Sequence, residues 1–343
     1  MREPNFSCPL PFSDYEQVVL AHGGGGRVMQ RLIRELFLAA YGGAQLQRGH
    51  DGAVVRARGP VALTTDAFTV SPRSFPGGDL GSLAVHGSVN DLAMCGARPL
   101  ALTVSFILEE GLELRELARL VQSMAAAARA CELEIVAGDT KVVERGKGDG
   151  VFITTTGLGE LLADPAPGPE RIAVGDAILV SGPIGEHGVA VLAAREALEL
   201  EPPLLSDAAP VHVPALALVE ALEVHCLRDP TRGGLASVLA ELAESRGLGM
   251  HIEEAAVPVR AAVADTCELL GLDPLYVACE GRFVAFVPEA CSARALQLLR
   301  ARGCEHAARI GTVVEGHGVV AESGLGSQRV LDLLSAEQLP RIC

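Results

Sequence analysis

The sequence predicts an α+β chain of two stacked helix-and-sheet domains, and three observations carry that expectation. Strand-like and helix-like runs alternate along the chain, as they do where helices cover sheets. The chain has 343 residues, more than one core usually sustains, and 49% of them are hydrophobic, enough to fill two cores. A cluster of breakers, Ala163-Asp164-Pro165-Ala166-Pro167-Gly168-Pro169, interrupts the alternation near its middle. The expected division is 1–163, 170–334 and a flexible tail, 335–343.

In chain order, Val28–Tyr41 has apolar residues at 28, 32, 33, 36, 37 and 40, a helical stripe ended by Gly42-Gly43. Gly52–Ala57 and Val61–Thr65 read as strands. Asp79 predicts the N-cap of a helix that runs to Cys95 and stops at Gly96. Glu113–Cys131 reads as a helix, followed by strands at Leu133–Ala137 and Val151–Leu158. Beyond the breakers come a strand at Ala177–Ser181, helices at Glu186–Leu198 and Gly234–Arg246, and strands near Met250 and Phe283. The helix Glu289–Arg302 precedes strands at Ala308–Val314 and Gly318–Ala321, and the proline-rich Glu201–Pro214 reads as a surface loop.

Composition narrows the class. A net charge of −15 disfavours nucleic acid as a partner, because phosphate backbones require a basic footprint. Nine cysteines without a C-x-x-C pair form neither a zinc ligand set nor a secretory framework, so a reduced, cytoplasmic setting is expected. No run reaches membrane-spanning length, and Met1–Tyr15 lacks a basic segment followed by an apolar one. Only Lys141 and Lys147 are lysines among the 28 basic residues, which draws attention to any site that keeps a titratable amine.

Several constellations could carry chemistry. Gly23, Gly24, Gly25 and Gly26 follow an apolar run and open the Val28 helix, where bare backbone N–H groups can meet an anion. The run fits neither G-x-G-x-x-G nor G-x-x-x-x-G-K-[ST], and four glycines alone are more often a flexible loop. Aspartates recur where elements end: Asp51, Asp66, Asp91 beside Asn90, Asp139 before Thr140, and Asp229 in Asp229-Pro230-Thr231-Arg232-Gly233-Gly234. A hard cation such as Mg²⁺ takes one or two carboxylates plus phosphate oxygens, and such strand-end aspartates can converge on one. Each alone is a normal turn or cap residue. Ser82, His86 and Asn90 form a polar stripe that faces either solvent or a site.

Cys343 is the last residue, after Leu339-Pro340-Arg341-Ile342. A prenylation box places its cysteine four positions from the end, so lipidation does not fit. A thiol on a free end can instead carry a covalent group into a pocket. The tail from Ser335 spans at most roughly 28 Å when extended. Lys141 and Glu280, the latter just before an apolar strand, are candidates to move protons beside it, although each alone reads as a surface charge.

Together, Val19–Gly26, Thr64-Thr65-Asp66, Val85–Ala97, Ala137–Lys141, Asp229–Gly234 and Pro340-Arg341-Ile342-Cys343 resemble the HypE family of hydrogenase maturation proteins over nearly the whole chain. The Asn-Asp and Gly-Asp-Thr motifs are shared with aminoimidazole ribotide synthetase and selenide water dikinase. The Pro-Arg-Ile-Cys end is what points to HypE. The resemblance implies two domains of the aminoimidazole ribotide synthetase type and a homodimer paired through the amino-terminal domains. It further implies that a carbamoyl group reaches Cys343 from HypF and is dehydrated with ATP to a thiocyanate. The cyanide then passes to iron on HypC–HypD for [NiFe]-hydrogenase. Under that resemblance Cys343, Lys141 and Glu280 are catalytic. Gly23 to Gly26, Asp66, Asn90, Asp91, Asp139 and Thr140 bind the nucleotide, and Asp51, Asp66, Asp91 and Asp139 hold Mg²⁺. The alternatives are a related ATP-dependent enzyme acting on a diffusible substrate, and a nucleotide-gated interaction module.

Overall fold

The structure, a computed structural model, describes residues 14–48, 50, 52–334, 339, 341 and 342. The first helix, α1, begins at Arg27 and runs through a π-helical stretch at Ile33–Leu38 to Tyr41. Val61–Phe68 is β1, Leu80–Met94 is α2, Ala97–Glu109 is β2 and Leu114–Ala130 is α3. Glu134–Val143 is β3 and Val151–Leu161 is β4. The four strands form one sheet in the order β1-β4-β2-β3, with β2 and β3 parallel across α3 and the other pairs antiparallel.

Alternation along the strands decides what each face carries. Val104 and Phe106 of β2 and Ile153 of β4 pack with Leu83 and Val85 of α2 and Leu117 and Val121 of α3. Their neighbours point the other way, where Leu63 and Ile107 stay exposed.

The second domain contains β5 (Asp176–Val180), α4 (Glu186–Arg195), α5 (His212–Ala221), β6 (Cys226–Arg228), α6 (Gly234–Arg246) and β7 (Gly249–Glu253). It continues with α7 (Ala261–Leu270), β8 (Val284–Pro288), α8 (Glu289–Ala301), β9 (Ala308–Val314), β10 (Gly318–Glu322) and β11 (Gln328–Leu331). Its seven-stranded sheet runs β11-β10-β7-β9-β5-β8-β6. Both faces are covered: Ile178, Val180 and Phe286 pack with α6, while Ala177, Leu179 and Val287 pack with α5 and α8. That is why β5 reads as a continuous apolar run.

Helix α2 belongs to both domains. Its first turns enter the core of the four-stranded sheet, and Ala93 and Met94 enter the core beneath α5. Asp79 caps it, its carboxylate accepting from the Ser82 N–H at 2.9 Å. In the stripe of Ser82, His86 and Asn90, Asn90 is buried and the other two are half-buried, so the stripe faces protein more than water.

Two expectations fail. Residues 53–57 form no strand; nearby, the N–H groups of Arg58 and Gly59 bond the Glu160 carboxylate instead of a ladder. Glu201–Pro214 is no plain surface loop, for Leu204, Asp207 and Val211 are buried and His212 already starts α5. No helix among the described residues is long and apolar enough to cross a membrane.

Candidate active site

Two groups of predicted residues assemble, one on the first domain and one at its boundary with the second. At one, a short turn, Leu20–Gly23, leads through three more glycines into α1. His22 is buried and fixes the turn, its Nδ1 accepting from the Val19 N–H at 3.0 Å. Gly26 occupies the N-cap and offers no side chain, leaving first-turn N–H groups free for an anion. Gly23 lies so close to β3 that a Cβ would stand 2.7 Å from the Val142 nitrogen. The loop is thus pressed beside Asp139, Thr140 and Lys141. There the Asp139 carboxylate accepts from the Thr140 N–H at 2.8 Å and pairs with Lys141 Nζ at 2.7 Å, and the Lys141 bond holds it below the usual carboxylate range. Thr140 is buried, while Asp139 and Lys141 are exposed.

At the other, carboxyl groups crowd into the boundary between domains. Asp66 projects from β1 toward α2, where the Thr64 hydroxyl donates to Asp91 Oδ2. Asp229 follows β6. Burial first, and the charge of Asp91 next, push both Asp66 and Asp229 up to about 7. Glu280 joins them, raised well above its ordinary value by burial and then by Asp229, and its Oε1 is buried without a hydrogen-bond partner. Asp207 fixes the Glu280 loop from behind, accepting from the N–H groups of Glu280 and Gly281 at 3.3 Å each. Only glycine fits at 281, since a Cβ would stand 1.8 Å from the Asp207 carbonyl oxygen.

The structure does not bring Asp139 to Asp66 and Asp91 within one chain. Their strands are three places apart in the sheet, roughly 14 Å. Asp139 also aligns with Ser105 and Lys141 with Ile107, on the exposed face, whereas Asp66 faces α2. Lys141 is separated from Glu280 in the same way. Asn90 is committed elsewhere: its amide donates to the carbonyls of Ala209 and Glu280 and accepts from the Val211 N–H. Asp51 and Cys343 lie outside the described residues. Among the described residues, no three or more His, Cys, Asp or Glu side chains stand together so that they could hold a metal ion by themselves. A hard cation needs less, one or two carboxylates plus phosphate oxygens, and a crowd of aspartates with one orphaned carboxylate oxygen suits it. Asp229 is the member absent from the ligand set expected from the sequence, although its Asp-Pro-Thr-Arg-Gly-Gly motif marks it.

Residues 49–161 match the AIR synthase related protein, N-terminal domain, and residues 173–323 match its C-terminal domain. The carbamoyl dehydratase HypE of Cupriavidus necator is 51% identical over 335 residues, covering 95% of both chains. The chain belongs to the HypE family. A crystal structure of the hydrogenase maturation protein HypE in complex with ATP superposes with a TM-score of 0.92 at 48% identity, covering 95% of this chain and 99% of that one. A chain of the crystal structure of a HypE–HypF complex superposes with a TM-score of 0.78 at 42% identity, covering 88% of this chain and 99% of that one. The two-domain α+β fold expected for a HypE chain is the one found.

Proposed function

We propose that this chain is an ATP-dependent carbamoyl dehydratase that converts a carbamoyl group on the Cys343 thiol to a thiocyanate, for the cyanide ligand of [NiFe]-hydrogenase. The observation that carries the reading is the likeness to a carbamoyl dehydratase across 95% of both chains. The described end of the tail agrees with it: Ile342 is buried in the first-domain core with Ala278, two residues from Glu280.

The chemistry accounts for the residues. A carbamoyl oxygen is a poor leaving group, so its attack on the γ-phosphorus of ATP, expelling ADP, converts it to a phosphate ester. Two N–H protons then leave, the C–O bond breaks and inorganic phosphate departs, giving S–C≡N. The glycine loop supplies N–H donors for phosphate oxygens. Asp66 and Asp91, together with phosphate oxygens, would hold Mg²⁺, which would offset phosphate charge, with Asp229 beside them. Glu280, whose Oε1 has no partner in that pocket, is assigned in its ionised form to take a nitrogen proton, and a cation beside the neighbouring carboxylates would favour that form.

Asp139 and Lys141 belong to the exposed sheet face that also carries Leu63 and Ile107. A second copy paired through this face would place them inside the interface, and this supports the homodimer. HypF is the proposed carbamoyl donor, HypC–HypD the proposed acceptor and the cytoplasm the proposed setting. Intact-protein mass spectrometry with HypF, carbamoyl donor and ATP tests the reading. A carbamoyl adduct should appear on the final peptide and then lose one water; an unmodified final peptide, or equal thiocyanate from a chain lacking Cys343, rejects it.

A further inference from the structure

We infer that His187, with Arg195 of the same helix, positions the carrier tail by gripping its backbone immediately before Cys343. This rests on the carrier reading of Cys343 given above and names the residues that would aim it. His187 opens α4, is fully buried, and meets three parts of the molecule at once. Its ring stands edge-on to Phe75 of the first domain, with centroids 5.3 Å apart. Its Nδ1 lies 2.8 Å from Ser206 Oγ, and its Nε2 lies 2.8 Å from the carbonyl oxygen of Ile342.

The partners fix the protons. A carbonyl oxygen can only accept, so Nε2 carries hydrogen. Burial holds the ring neutral, pushing its pKa down to about 4, so Nδ1 is the bare nitrogen and accepts from the Ser206 hydroxyl. That hydroxyl oxygen is free to donate because it accepts from the Ala208 N–H at 3.0 Å. Ser206 is itself tied to the first domain, its N–H donating to the Pro76 carbonyl at 2.8 Å. Each hydrogen in the relay is donated once, the Ser206 hydroxyl donating to His187 while its oxygen accepts from the Ala208 N–H.

Neighbouring contacts hold the preceding residue. The Arg341 carbonyl accepts from the Ser71 N–H at 3.1 Å and from Arg195 Nη2 at 2.9 Å, while Arg195 also donates to the Ser71 carbonyl. The Arg341 guanidinium donates to the Thr69 carbonyl and pairs with Asp149. The two carbonyls before Cys343 are therefore read by helix α4 and by the 69–71 segment, one element from each domain. The Ile342 side chain, 2% exposed, sets the depth. Backbone recognition fixes direction and register; the buried isoleucine supplies the side-chain selection.

The test uses the full-length protein with alkylation by N-ethylmaleimide, read on the peptide 338–343 after cleavage at Glu337. His187→Phe keeps an aromatic ring but removes the N–H, and should raise the alkylation rate of Cys343 roughly ten-fold, the effect of one lost buried hydrogen bond. His187→Gln, which can still donate, should restore protection to within about threefold of wild type. Ile342→Ala, a truncation on the tail rather than on an element of either domain, should expose the thiol at least as much as His187→Phe, and carries the test if that variant does not fold. With carbamoylated protein and saturating ATP, Ile342→Ala should lower kcat with KM for ATP unchanged. Alkylation within about twofold of wild type in Ile342→Ala and in folded His187→Phe overturns the inference. None of the alkylation readouts requires carbamoyl transfer, so failure of the grip and failure of the carrier chemistry give separate results.

Discussion

Asn90 of α2 reaches the second domain through Val211, whose N–H donates to Asn90 Oδ1 at 2.8 Å while the Asn90 amide donates to the Ala209 and Glu280 carbonyls. Three backbone groups meet at this one side chain, the Val211 N–H among them buried, and the Glu280 carbonyl also accepts from the Ala209 N–H at 3.5 Å. Asn90→Ala should cost about 3 kcal/mol of stability, because the stranded groups lose their partners as well as their bonds. Urea unfolding measures it, and a loss below about 1 kcal/mol would contradict the assignment of Asn90 as a tie between domains.

The glycine loop offers an internal comparison. Gly23→Ala drives a Cβ against the Val142 backbone, whereas at Gly26 a Cβ meets nothing within 4 Å and the φ of −85° suits alanine. Nucleotide titration by calorimetry should show ATP affinity falling about ten-fold for Gly23→Ala and changing less than about twofold for Gly26→Ala. Equal losses would mean that the loop does not act through its seat on β3.

Asp66, Asp91 and Asp229 repel one another without a counter-ion. Mg²⁺ with a non-hydrolysable ATP analogue should raise Tm in the wild type, and Asp91→Asn should abolish most of that rise while leaving the nucleotide-free Tm equal or higher. A full Mg²⁺ response in Asp91→Asn would remove it from the metal set.

Two histidines make a pH prediction. Burial lowers His86 and His187 from 6.5 to about 4, so the folded chain binds fewer protons than the unfolded one in that interval. Each histidine's stabilising contribution is complete above 6.5 and disappears as pH falls toward 4, by at most about 3 kcal/mol. The raised Asp66, Asp229 and Glu280 act in the opposite sense, favouring the folded state at lower pH. The measurement is therefore a difference. Stability of wild type minus His86→Gln should decline between pH 6.5 and 4, and a flat difference would refute the buried neutral ring.

Local chemistry made much of this legible in the sequence. The Asp79 cap, the Gly96 stop and the breakers before Ile172 all act within a few residues, and the helix Gly234–Arg246 has its predicted bounds. The strand Ala97–Glu109 went unread because Arg98-Pro99 obscures its start, although β4 pairs with it along most of its length. Asp66 and Asp91 were found from their motifs, yet the separation of Asp139 from them depends on strand order and side-chain alternation, which no motif encodes. His187 carried no signal at all. Its significance depends on Ser206, Phe75 and Ile342, which are near only after folding.

Helix α2 is apolar over most of its surface, with Ser82, His86 and Asn90 as its polar stripe, because both domains pack on it, Leu83 contributing to one core and Met94 to the other. Neither half can melt while the other keeps it. The two domains should consequently denature as a single calorimetric unit, and a lesion anywhere along this shared keel should be felt at both ends of the molecule.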